Sequence, residues 1–133
     1  MRFARIVFTV AGIWGLLVLT PLYVLIDRIG RQYPPAVTHP DFYYGFIGVA
    51  IAWQLAFLAI GRDPMRLRPM MIPAIVEKAF YIFTLGVLFT QGRIQAGQFA
   101  VAVPDFIVGC LFVAAFVRTR DVAADYVSRA RAA

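Results

Sequence analysis

Polar residues are confined to short intervals along this chain. Between them run four stretches of 19 to 21 almost uncharged residues, Ile6–Ile26, Phe42–Ile60, Ile72–Thr90 and Phe99–Val117. A helix rises about 1.5 Å per residue, so each stretch is long enough to cross a hydrocarbon core of about 30 Å. The pattern predicts an all-α fold: an integral membrane four-helix bundle of antiparallel up-down topology, with residues 1–133 as a single four-span transmembrane domain. Composition agrees, since 62% of residues are hydrophobic against the roughly 45–50% usual in soluble domains. Four spans leave only short connections and tails, and no sizeable extramembrane domain is expected.

Small residues mark where the helices can approach. Gly45, Gly48, Ala52, Ala56 and Ala59 recur at three- and four-residue intervals in the second span, and Gly12 and Gly15 offer the same opportunity in the first. Lipid-embedded helices associate through close van der Waals contact, so both faces are expected to pack. Pro21 should bend the outer end of the first span, because it removes a backbone donor.

Polar residues inside the spans are costly and therefore informative. Glu77 and Lys78 lie five and six residues into the third span, roughly 8–9 Å from its boundary. Glu77 is expected to be protonated, paired or turned into the bundle, whereas Lys78 could snorkel back to lipid phosphate. Tyr81, Thr84 and Gln91 follow Glu77 at i+4, i+7 and i+14, predicting one polar helix face. Antiparallel alignment sets Gln54 of the second span level with Glu77 and makes it the expected hydrogen-bond partner. Asp105, following Pro104, is expected at the depth of Thr84 as a second polar cluster. If the fourth helix restarts at Pro104, Asp105 occupies its first turn, where the helix dipole favours an anion. Two readings stand for these groups: fasteners between helices, or a functional role as a proton-carrying carboxyl, a ligand contact or a headgroup site.

Charge outside the spans fixes the orientation. Arg2, Arg5, Arg62, Arg66, Arg68, Arg118, Arg120, Arg129 and Arg131 fall on one side, and Arg28, Arg31 and Arg93 on the other. By the positive-inside rule both termini are expected on the cytoplasmic side. The run after Met1–Arg5 is too long for a signal peptide and lacks a small-x-small cleavage site, so it is expected to remain as the first helix. The arginines of the inner turn Gly61–Met71 are expected to meet lipid phosphate, and Asp125 pairs with Arg129 at i, i+4 in a helical tail. The basic residues are scattered between apolar runs and form no continuous face for nucleic acid.

The outer loop Asp27–Asp41 holds the densest set of reactive types, with Arg28, Arg31, His39 and Asp41 followed by Tyr43 and Tyr44. It is the natural lid. One histidine followed by Pro40 lacks the ligand count of a zinc or iron site, so no metal is predicted, and His39-Pro40-Asp41 is expected to set a turn and cap the second helix. Cys110 is the single cysteine; it supplies no intrachain disulfide and is expected to be a small packing residue. No Gly-rich phosphate loop or Ser-His-Asp order is present, and no enzyme activity can be assigned.

The layout resembles the small bacterial four-span proteins grouped as DoxX-like. The resemblance covers nearly the whole chain: Tyr44-Gly45-Phe46-Ile47-Gly48 opening the second helix, a basic inner turn, Glu77-Lys78 in the third span and Asp105 in the fourth. It implies a mostly uncharacterised group, some of whose members are linked to membrane redox or thiol-stress systems. Small multidrug exporters share the size, but their essential acid lies in the first span, where Ile6–Ile26 has none. The leading expectation is a non-enzymatic inner-membrane protein acting by helix packing, as a homo-oligomer or an accessory subunit of a membrane complex, with lipids as its other partners and no predicted cofactor. The alternative is a binder of an apolar small molecule, lipid or quinone beneath the outer loop, lined by Tyr43, Tyr44, Trp53 and Tyr81 and anchored on Asp105 or Glu77.

Overall fold

A backbone that crosses hydrocarbon must satisfy its own N–H and C=O groups, and each apolar stretch accordingly coils into helix. A computed structural model describes residues 1–120 and holds α1 (Arg2–Leu19), α2 (Ile26–Gln32), α3 (Pro40–Arg62), α4 (Met71–Thr90), α5 (Ala96–Ala100) and α6 (Ala102–Arg118). With their flanking short turns, four segments of 23 residues are long and apolar enough to cross a membrane: Arg2–Val24, Pro40–Arg62, Arg68–Thr90 and Ala96–Arg118. The chain is a multi-pass membrane protein built as an up-down four-helix bundle. The expected Asp125–Arg129 pair lies outside the described residues.

Prolines set the helix ends. α1 gives way at Leu19 to a 3-10 turn, Thr20–Val24, that contains Pro21. His39-Pro40-Asp41 does set the start of α3, with Asp41 in the first turn, but the expected side-chain cap is not made: no side chain hydrogen-bonds the free N–H groups there. The fourth crossing is broken between α5 and α6. The helix restarts at Ala102, two residues before Pro104, and Asp105 does lie in the first turn. The outer loop holds a short helix that apolar patterning did not announce: α2, with Asp27 in its first turn and Arg31 in its last, charges that suit the dipole.

Around the bundle the order is α3, α1, α6, α4. α1 packs along α3 and against α6, and α4 packs on α6, whereas α3 and α4 scarcely touch despite being neighbours in the chain. The core fills the half nearest the termini. Phe8, Phe57 and Phe112 are fully buried there, with Phe8 stacked on Phe112 at 4.1 Å and Phe57 edge-on to Phe112 at 4.8 Å, the offset and edge geometries aromatic rings prefer.

Close approach comes from glycines of α1, and most of the stripe on α3 faces elsewhere. A Cβ on Gly12 would lie 2.8 Å from Leu58, and one on Gly15 would collide with the Gln54 side chain. By contrast Gly45, Ala52 and Ala59 are exposed, with nothing within 4 Å of a Cβ built on Gly45. Of the five stripe residues on α3, Gly48 and Ala56 are half-buried and the other three point outward.

Arg68 ties α4 to α6 at the inner end. Its guanidinium donates to the Phe116 carbonyl at 3.1 Å and to Thr119 Oγ1 at 3.3 Å, and lies 4.0 Å above the Phe116 ring. It fastens the start of α4 to the end of α6 instead of reaching lipid phosphate, as the sequence had suggested for this turn.

Candidate functional site

The outer half of the bundle is not filled. A cavity of about 160 Å³ lies between all four spans, above the aromatic core and on the side where α3 and α4 part. α1 contributes Trp14 and Gly15, α3 contributes Phe46, Gln54 and Phe57, α4 contributes Glu77, Lys78 and Tyr81, and α6 contributes Asp105 and Val108. The Phe46 and Tyr81 rings, 6.4 Å apart and nearly parallel, face each other across the α3–α4 gap.

Lys78 organises the polar wall. It is only 8% exposed, and its ammonium sits 2.5 Å from Asp105 and 3.3 Å from Glu77. The shorter contact joins α4 to α6. The longer one satisfies an ion pair by distance but not hydrogen-bond direction, so the buried Glu77 Oε2 has no hydrogen-bond partner among the described residues. Lys78 Nζ also lies 5.5 Å above the Phe57 ring, within cation–π range.

This arrangement corrects three expectations. Lys78 does not snorkel toward the cytoplasmic phosphates: a Cβ on Gly109 would lie 3.4 Å from the Lys78 Cβ, and from that level the lysine stem runs one turn outward to Asp105. Asp105 consequently belongs to the same cluster as Glu77, and Thr84, its expected neighbour, is exposed. Gln54 is not the partner of Glu77. It shares the cavity, but its amide is folded over Gly15 and donates to the Ala50 carbonyl at 3.1 Å, because α1 and not α4 is the helix against α3.

The aromatic expectations divide. Tyr81 lines the cavity. Tyr43 and Tyr44 instead close the outer end of the α1–α3 pair, Tyr43 donating to the Leu22 carbonyl at 2.8 Å and Tyr44 stacking on Tyr23 at 5.7 Å. Trp53 packs against Phe57 at the core. Trp14, which the sequence reading passed over, takes a place in the wall; its neighbour Gly15 was the available signal. Of the outer-loop residues, Arg28, Arg31, His39 and Asp41 are exposed and none lines the cavity. α2 leans on the Thr20–Val24 turn. Cys110 is exposed on the outside of α6 rather than packed. Among the described residues, no three His, Cys, Asp or Glu side chains gather closely enough to hold a metal ion.

Chemically, the site is an amphiphilic pocket with aromatic walls and with two carboxyls and one ammonium meeting in it. No known protein family, curated protein or solved structure matches the chain, and the cavity itself is the ground for a functional reading.

Proposed function

We propose that the bundle binds an apolar or amphiphilic small molecule, such as a lipid or a quinone, and holds its ring or head between the four helices. The observation that carries this reading is the 160 Å³ cavity with one polar wall. A packed bundle has no use for such a void, and a purely apolar void would not gather three ionisable side chains. The sparsely packed α3–α4 side, where the Phe46 and Tyr81 rings meet across the cavity, is the side from which a tail would reach the bilayer.

Native mass spectrometry of gently purified protein tests the reading. A ligand at one copy per chain is expected from the unaltered protein and is lost in Tyr81→Ala and Asp105→Ala, whereas Cys110→Ser, on the outer surface, retains it. Protein that carries no stoichiometric ligand after gentle extraction would rule the reading out.

The outward face of α3 favours a second role, association with another copy or with a larger membrane complex. Gly45, Ala52 and Ala59 form a smooth strip without a partner in the bundle, the surface on which lipid-embedded helices pack. Crosslinking in native membranes should trap a dimer or a complex through this strip; a monomer at all concentrations counts against it. The reading further takes the membrane to be a bacterial inner membrane with cytoplasmic termini, supported by the excess of arginines at that end. Membership of the DoxX-like group is likewise proposed, on the Tyr44–Gly48 opening of α3 and the Glu77-Lys78 and Asp105 pattern.

A further inference from the structure

We infer that the head group this cavity takes is a small organic cation, of the alkylammonium class, bound against Glu77 in exchange for a proton. The inference rests on the binding role proposed above and adds the chemistry of the ligand. Charge balance is its starting point. Asp105 holds Lys78 at 2.5 Å, while Glu77 stands at 3.3 Å with its buried Oε2 lacking a hydrogen-bond donor. The cluster therefore has one carboxyl more than it has cations among the described residues.

A largely buried carboxylate that shares its one cation with a second carboxylate carries uncompensated charge, and two species can relieve it: a proton or a cation. The walls favour an organic cation, because Trp14, Phe46 and Tyr81 present aromatic surface to the cavity, and ring faces attract ammonium groups. An anionic head would meet two carboxyls. A neutral head offering only acceptors can take a hydrogen bond from Tyr81 or from the second Gln54 N–H, but it leaves the surplus carboxyl without a counter-charge. Size limits the head to about one ring, since a cavity of about 150 Å³ takes benzene.

The proton exchange follows from what surrounds Glu77. Lys78 and Tyr81 on α4 and Asp105 on α6 are the titratable groups lining the cavity, and α1 and α3 contribute none among the described residues. Cation and proton therefore compete for one carboxyl.

Titration of the purified full-length chain in nanodiscs with benzylammonium, benzyl alcohol and benzoate, between about pH 5 and 8 where a primary alkylammonium keeps its charge, tests the inference. Benzylammonium should bind at least about tenfold tighter than benzyl alcohol, with benzoate weakest, and its affinity should rise by up to about tenfold per pH unit as one proton is displaced. In Glu77→Gln the pH slope should vanish while benzyl alcohol still binds; should that variant not fold, the slope in the unaltered chain decides. Equal binding of benzylammonium and benzyl alcohol, independent of pH, overturns the cation inference and leaves the binding role standing. Binding of none of the three overturns both.

Discussion

Lys78, Glu77 and Asp105 meet in one cluster in the bundle, and their mutual dependence sets what each substitution should do. Lys78→Met leaves two carboxyls facing each other without a cation, and breaking a buried pair in this way is expected to cost about 3–5 kcal/mol. Thermal unfolding in detergent should show the loss, and Lys78→Met combined with Asp105→Leu should restore most of it. A double variant as unstable as the single one would mean that the two side chains are not coupled. Glu77 behaves differently, because it has the weaker contact: Glu77→Gln should keep stability within about 1 kcal/mol while changing ligand binding, and Glu77→Ala should cost about 1–2 kcal/mol. That Glu77 faces the interior was legible from its depth and from Tyr81 one turn on. Its partner was not, because matching residues by backbone depth treats each as a point. A lysine stem covers a helical turn, and Lys78 used that reach to join Asp105 to the cluster.

Helix pairing follows from which small residues are actually covered. Gly15 lies under the Gln54 side chain, so Gly15→Leu should both force α1 from α3 and intrude on the cavity, at a cost of about 1–3 kcal/mol together with loss of bound ligand. Ala52→Leu, on the exposed side of α3, should leave unfolding unchanged and disturb only association. Comparable destabilisation by both substitutions would contradict the packing described here. Arg68→Ala removes charged hydrogen bonds to α6 and should cost about 1.5–3 kcal/mol, with Arg68→Lys recovering only part because it lacks the planar fork. The four spans and their proline-marked ends were legible, since length and hydropathy are local properties. The use of the two small-residue faces was not: Gly12 and Gly15 pack inside while Gly45, Ala52 and Ala59 of the α3 stripe point out, and spacing alone does not reveal whether a partner lies within the chain.

At the scale of the whole molecule, the order α3, α1, α6, α4 makes an incomplete ring, packed near the termini and hollow toward the other side. Orientation is testable independently of ligand: in a Cys110→Ser background, a cysteine replacing Arg66 should be blocked by a membrane-impermeant maleimide only in inverted vesicles, and one replacing Arg93 only in right-side-out cells. The reverse pattern would invert the topology without changing the bundle. The cavity is the central claim, and a structure determined in a lipid bilayer tests it most directly. Density for a ring or head group is predicted between Trp14, Phe46 and Tyr81, touching Glu77, with Lys78 against Asp105 and a tail leaving between α3 and α4. A collapsed, empty interior with α3 packed on α4 and Glu77 turned to lipid would contradict the account.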